Sequence, residues 1–198
     1  MSRLTRAEQR ARTRQELIDA ARERFLQVGY GAASLEDIAE HAGYSKGAVY
    51  SNFTDKPTLC RAVLDEIHHD KIGELAALTG GELALEDRVA AAGEWLERTV
   101  GDVGWTMLEL EFVTLSRGDA ALTRVIAELR DDARAAVVEL LRSLRTESDA
   151  AVDDEVLGQI ADLLLSAGIG LGIQRAVDPT ISIDPMVGAL RTALALIG

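Results

Sequence analysis

Residues 34–59, SLEDIAEHAGYSKGAVYSNFTDKPTL, hold two short amphipathic helix patterns, a glycine-containing turn between them and an aromatic pair behind the second. Ser34 is able to accept from the free amides of a first helix, and Asp37, three residues on, completes a start resembling a capping box. Leu35, Ile38 and Ala39 then follow at helical spacing, so this helix has one buried face. Gly43 suits the left-handed residue of a sharp turn, and Ser45 caps a second helix beginning at Lys46. Two helices joined by such a turn form the unit whose second helix enters the DNA major groove. By pattern alone, an ordinary helical hairpin stays open beside it.

The segment resembles the DNA-binding domain of the tetracycline-repressor (TetR) family of bacterial regulators. The matching elements are Phe25, Gly29-Tyr30, Ser34, Ile38-Ala39, Ala42-Gly43, Ser45, Tyr50, Phe53, Lys56 and Leu59, in order and without a gap. They cover about the first third of the chain, and the remainder is similar to the family in being helical and of suitable length. The resemblance implies an all-α, nine-helix architecture with an N-terminal helix-turn-helix domain. It also implies a C-terminal domain that binds an effector and dimerises.

Composition agrees with one large domain or two small ones: 198 residues, 47% of them apolar, and only three prolines to interrupt helices. The single cysteine, Cys60, excludes an internal disulfide and fits a reducing compartment. No apolar core follows the Arg-rich start, and the longest apolar run, Leu163 to Ile173, is short for a bilayer, so a soluble cytoplasmic protein is expected. The net charge of −12 is unevenly spread: residues 1–60 hold nine Lys/Arg and eight Asp/Glu, the rest twelve and twenty-five. Arg3, Arg6, Arg10, Arg12 and Arg14 face only Glu8 at the start. Cations gathered at one end suit docking on phosphate by that end, although any single arginine reads better as part of a solvated helix terminus.

Thr5 and Glu8 have capping-box spacing, which starts helix 1 near Arg6 and runs it to Gly29. Helix 4 is expected from Asp55–Pro57 to about Leu78, ended by Thr79-Gly80-Gly81. Helices over Leu85–Val100, Trp105–Arg117, Asp119–Leu144 and Asp153–Val177 follow, with a polar loop at 145–152. Asp184-Pro185 opens helix 9. The expected organisation is therefore a DNA-binding domain over 1–54, a connecting helix over 55–78, and an effector-binding and dimerisation domain over 79–198.

For DNA, the second helix of the pair offers Lys46, Gly47, Ala48, Tyr50, Ser51 and Asn52, with Val49 and Phe53 turned inward. Lys46 and Asn52 suit base edges or phosphate, and the small Gly47 and Ala48 permit close approach to the groove. The resemblance makes Tyr50, Lys56 and Ser34 phosphate contacts, with Ser45 at the second cap. Glu36 stands where many family members carry a basic residue, and Tyr44 replaces a small aliphatic one.

Helix 8 contains Gly168, Gly170 and Gly172 in an apolar run, each costing roughly 1 kcal/mol relative to alanine. Gly168 and Gly172 share a face with Leu164, and helix 9 adds Leu190 and Leu194 at similar spacing. These five point to a homodimer interface, the alternative being a central core helix. Helix 6, WTMLELEFVTLSR, carries Glu109 and Glu111 among large apolar groups. In this family the corresponding region lines the effector pocket. Trp95, Trp105, Met107, Leu108, Glu111 and Phe112 are the candidates, a lipophilic or aromatic effector is expected, and a cationic group would suit Glu111 if it faces inward. A salt bridge or exposure at the rim is the other reading of either glutamate.

No cofactor or metal is expected, because His68 and His69 diverge on a helix and Asp65 leaves them without a third ligand. No nucleophile sits in a recognisable motif, so the chain is read as a regulator and not an enzyme. An all-helical enzyme or a structural adaptor is the alternative. The expected partners are double-stranded operator DNA, a small effector and a second copy, with no membrane.

Overall fold

In the computed structural model, the chain is described over residues 5–143 and 153–197. Arg3, the expected 145–152 loop and the side chain of Ile197 lie outside the described residues. Within them there are nine α-helices and no strand: α1 Arg6–Val28, α2 Leu35–His41, α3 Lys46–Asn52, α4 Lys56–Thr79, α5 Leu85–Thr99, α6 Val103–Leu115, α7 Ala120–Ser143, α8 Asp154–Val177 and α9 Asp184–Ile197.

The helix starts follow side-chain caps. Thr5 and Glu8 close a reciprocal capping box on α1, Thr5 N donating to Glu8 Oε2 at 2.7 Å and Glu8 N to Thr5 Oγ1 at 3.2 Å. Ser34 Oγ accepts from Asp37 N at 3.0 Å, and Asp55 Oδ1 accepts from Thr58 N at 2.8 Å at the head of α4. α6 starts two residues before the expected Trp105, because Asp102 Oδ1 accepts from Trp105 N at 2.9 Å and so caps an earlier turn.

The chain divides into two compact units, Met1–Ile67 with Met107–Leu129, and His68–Thr106 with Arg130–Gly198. The organisation expected from the sequence is 1–54 and 79–198 joined by a helix over 55–78. The first unit takes the C-terminal part of α6 for a stated reason. The Glu111 carboxylate accepts from Tyr30 N and Gly31 N, both at 2.7 Å. Phe112 meets the Tyr30 ring edge-on at 5.2 Å, and Tyr30 in turn lies 5.6 Å from Phe25. Leu17, Ile38, Val49, Phe53, Leu59, Leu108 and Phe112 are all at most 1% exposed in this unit.

The second unit is built on Val89, Val138, Leu141, Leu157, Ala161 and Leu194, with Leu164 and Leu190 packed against them. The buried guanidinium of Arg175 ties the C-terminal end of α5 to the loop before α9. Its Nε donates to Val100 O at 2.9 Å, and its Nη2 donates to Glu97 Oε1 at 2.8 Å and to Glu97 O at 3.3 Å. Ile181 O accepts a further bond from Nη1. By length and composition alone α8 is long and apolar enough to cross a membrane, which the run Leu163–Ile173 by itself is not. It nevertheless buries Leu157, Gly158, Ala161, Gly172 and Arg175 within this unit.

Candidate nucleic-acid interface

α2 and α3 are only seven residues each, too short to persist alone, so their order comes from caps and from a few inward side chains. Gly43 takes φ 73° between them, a value that costs glycine nothing. Ser45 Oγ then accepts from Ala48 N at 3.3 Å and opens α3. Val49 is fully buried and Phe53 1% exposed, which turns the opposite face of α3 outward. That face shows Lys46, Gly47, Tyr50 and Ser51 exposed, with Ala48 and Asn52 half-buried.

Two arginines that read as phosphate ligands in the sequence hold this helix from behind. Arg10 Nη2 donates to Ser51 O at 3.3 Å and Arg14 Nη1 to Asn52 O at 3.2 Å, so they satisfy carbonyls that α3 leaves open at its C-terminal end. Arg14 also lies 4.3 Å above the Phe53 ring. Arg12 pairs with Glu16 at 3.4 Å. An open groove of about 360 Å³ between α1 and α3 is lined by Arg6, Gln9, Arg10, Thr13, Tyr44, Ala48, Ser51 and Asn52. Tyr44 packs toward α1: its hydroxyl donates to Glu16 and accepts from Thr13 Oγ1 at 3.4 Å.

The polar side chains of α3 are partly committed. Asn52 Nδ2 donates to Ala48 O at 2.8 Å and Ser51 Oγ to the same carbonyl at 2.8 Å, leaving the Asn52 oxygen as its outward acceptor. Lys46 Nζ forms an ion pair with Glu36 Oε1 of α2, and both side chains are 54% exposed. Their shared hydrogen bond is the first cause that holds the Glu36 carboxyl below the usual glutamate range, with a backbone amide hydrogen bond second, and the same bond, with the Glu36 charge second, raises Lys46. Lys56 Nζ donates to Gly31 O at 3.4 Å and sits 4.3 Å over the Tyr30 ring, and burial lowers its pKa. Sequence spacing gave no sign of the Glu36–Lys46 pair or of the Arg10 and Arg14 contacts, because all three join separate helices.

The six residues expected to line an effector pocket are divided between the units: Trp95 and Trp105 in the second, Met107, Leu108, Glu111 and Phe112 in the first. Of the expected pocket residues, Glu111 has its carboxylate held by the Tyr30 and Gly31 amides, and Phe112 has its ring against Tyr30. A Cβ added at Gly29 or Gly31 would stand 2.8 and 2.7 Å from the Glu111 oxygens, so the loop is shaped to that carboxylate. Trp95 is 7% exposed among Leu75, Val100, Leu171, Met186 and Val187. Trp105 meets His68 edge-on at 6.0 Å. The indole N–H groups of Trp95 and Trp105 are buried without a hydrogen-bond acceptor among the described residues.

The five residues expected at a dimer interface turn toward their own chain. Leu194 is 3% exposed within the second unit's core, against which Leu164 and Leu190 pack. A Cβ at Gly172 would lie 3.7 Å from Thr106 Oγ1, and one at Gly168 3.4 Å from Met186 Cε. The face of α8 opposite Gly172 is the outward one, with Leu163 68% and Val177 81% exposed. Gly170 lies on that side, where an added Cβ meets nothing within 4 Å. Gly168 and Gly172 do share a face, but it is the inward one.

Residues 17–63 match the family described as bacterial regulatory proteins, tetR family. The HTH-type transcriptional regulator TtgR of Pseudomonas putida is 40% identical over 67 residues, which is 33% of this chain and 32% of that protein. That match spans about a third of each sequence. The HTH-type transcriptional repressor AcnR of Corynebacterium diphtheriae is 27% identical over 83% of this chain and 87% of its own. Among solved structures, GusR of Salmonella enterica shares the fold over 98% of this chain and 97% of its own, with TM-score 0.65 at 20% identity.

Proposed function

We propose, from a chain that belongs to the tetR family of bacterial regulatory proteins, that it is a cytoplasmic repressor whose dimer binds a palindromic operator. Members of the family are transcriptional regulators and not enzymes, and the nine-helix fold is theirs. The observation that carries the reading is the outward face of α3. Val49 and Phe53 anchor it while Lys46, Gly47, Tyr50 and Ser51 are exposed on a helix-turn-helix held by caps at Ser34 and Ser45. In this reading α3 enters the major groove, and Ser34, Ser45, Tyr50 and Lys56 contact phosphate. Lys46, Ala48 and Asn52 approach base edges. Dimerisation uses the outward faces of α8 and α9, so its register on α8 runs through Leu163, Gly170 and Val177 and leaves Gly172 inside.

The effector site belongs to the second unit, near Trp95 and Trp105. A buried donor without an acceptor costs about 1–3 kcal/mol, and two indole N–H groups are in that position. An apolar molecule carrying acceptor oxygens fits them better than a cation, because Glu111 is already engaged. Selection of fragments retained from the source genome's DNA tests the regulator reading and yields the operator. Retention of no specific duplex at moderate salt ends that reading.

A further inference from the structure

Glu36 is the residue least expected on this surface, since a carboxylate at the mouth of a DNA-reading helix repels phosphate. Its partner shows where it stands. The Lys46 ammonium, on the first residue of α3, is bonded to the Glu36 carboxylate on the first turn of α2. Both side chains are 54% exposed, and an ion pair so open to water contributes little to folding. Neither Gly47 nor Ala48, the next residues of α3, has a side chain long enough to compete for the same space. The pair therefore stands as the reach of the domain at that end of α3, one donor beside one acceptor, contributed by two different helices.

That arrangement has a complement in DNA. On the major-groove edge of a G·C pair, the O6 acceptor of guanine neighbours the N4 amino donor of cytosine. An A·T pair also sets an acceptor beside a donor, N7 and N6 of adenine, but lysine pairs with guanine O6 or N7 and glutamate accepts from cytosine N4, and that combination selects G·C. We propose that Glu36 and Lys46 act together as one reader of a single G·C base pair in each half-site. Lys46 donates to guanine O6 or N7, Glu36 accepts from cytosine N4, and their mutual bond fixes the spacing. The carboxylate has a second effect: it cancels the charge Lys46 would offer to any phosphate, so binding without the right base pair is weakened. Glu36 is thereby a specificity-determining residue, and the proposal rests on the regulator reading above.

The test is selection from a randomised duplex library by the full-length wild-type protein, Glu36→Gln and Lys46→Met, at one fixed salt concentration. Circular dichroism checks that all three fold alike. The wild type should select one G·C pair per half-site with roughly tenfold preference, within the range of a good base contact. Glu36→Gln should lose that preference, keep the others, and bind random duplex more tightly than the wild type. Lys46→Met should lose the same position. Inosine·cytosine substituted there keeps the major-groove edge and should bind within about twofold of G·C. If Glu36→Gln retains every base preference of the wild type, or if inosine·cytosine is rejected, the reader is disproved while the regulator reading stands. A wild-type protein that enriches no duplex overturns both.

Discussion

α2 and α3 are seven residues each, whereas α8 has twenty-four, and the two regions are held by opposite means. The short pair relies on Ser34, Ser45, Gly43 and a handful of inward residues, each of which has one task. α8 is apolar around much of its circumference and is held by distributed burial, with Leu157 and Ala161 in the core while Leu163, Ile169 and Val177 remain exposed. In the first region few residues are interchangeable, and the outward face is left over for binding. In the second, many residues could face either way, and only the neighbours decide which do.

The sharpest way to break this contrast is at Phe53. It is 1% exposed, ends α3 and carries Arg14 on its ring. Phe53→Ala should cost about 3–5 kcal/mol, the range for a buried aromatic lost to a cavity. Denaturant unfolding followed by the amides of residues 34–53 should show that region melting first, with DNA retention abolished. Leu163→Ala on the exposed side of α8 should leave the monomer's stability nearly unchanged. Comparable losses at both sites would mean that the two regions are not held differently.

These differences also decide what could be read in the sequence. Helix boundaries at 5–8, 34–37 and 45 were legible because a cap is a local event, requiring one oxygen and an amide two or three residues away. The buried Val49 and Phe53 were legible because a short helix has room for only one apolar face. The rotation of α8 was not, since an apolar residue on every side carries no period to follow. Nor was the bond from Glu111 to Tyr30 and Gly31, across 81 and 80 positions of chain. The outward residues of α3 were legible from its inward pair. The contacts of Lys46 with Glu36, of Asn52 with Ala48 and of Lys56 with Gly31 were not.

The glycines of α8 sharpen the comparison at a smaller energy. Gly172→Leu places its bulk against Thr106 and the backbone at Gly101. Overpacking there should cost about 1–3 kcal/mol, less the roughly 1 kcal/mol recovered by replacing a helical glycine. Gly170→Leu meets open space within the chain and should slightly stabilise the monomer. It should instead reduce the dimer fraction in light scattering, because the outward side is the proposed interface. The reverse pattern, with Gly172→Leu losing the dimer at unchanged stability, would return the interface to the face the spacing first suggested.

Glu111 offers an effect of similar or smaller size on the first unit. Glu111→Ala leaves the Tyr30 and Gly31 amides without their acceptor, a loss of about 1–3 kcal/mol, reduced where water reaches the exposed Gly31. Gly31→Ala attacks the same contact from the other side, since its Cβ would stand 2.7 Å from the carboxylate. Both should lower the unfolding midpoint, and the double variant should lose less than the sum, which a double-mutant cycle reads directly. Full additivity would show that the loop and the carboxylate are independent.

The smallest effect lies at the start of α1, where the sequence and the geometry agree most closely. Glu8 accepts from Thr5 N at 2.7 Å, and this bond first, with the Thr5 hydroxyl second, lowers its carboxyl below the ordinary glutamate range. A carboxyl lowered by folding contributes stability that is present above its unfolded pKa and is lost as pH falls through its folded value. Amide protection in the first turn of α1 should therefore hold at neutral pH and decline on the acid side, below the pH at which a free glutamate titrates. Carboxyl-carbon NMR should show Glu8 titrating below the ordinary glutamate range, and Thr5→Ala should move it back toward that range. Glu8→Gln keeps an oxygen for Thr5 N but has no proton to gain, so its first-turn protection should lose the acid step attributed to this box. A step that survives unchanged in Glu8→Gln would mean that another acid governs the fraying of α1.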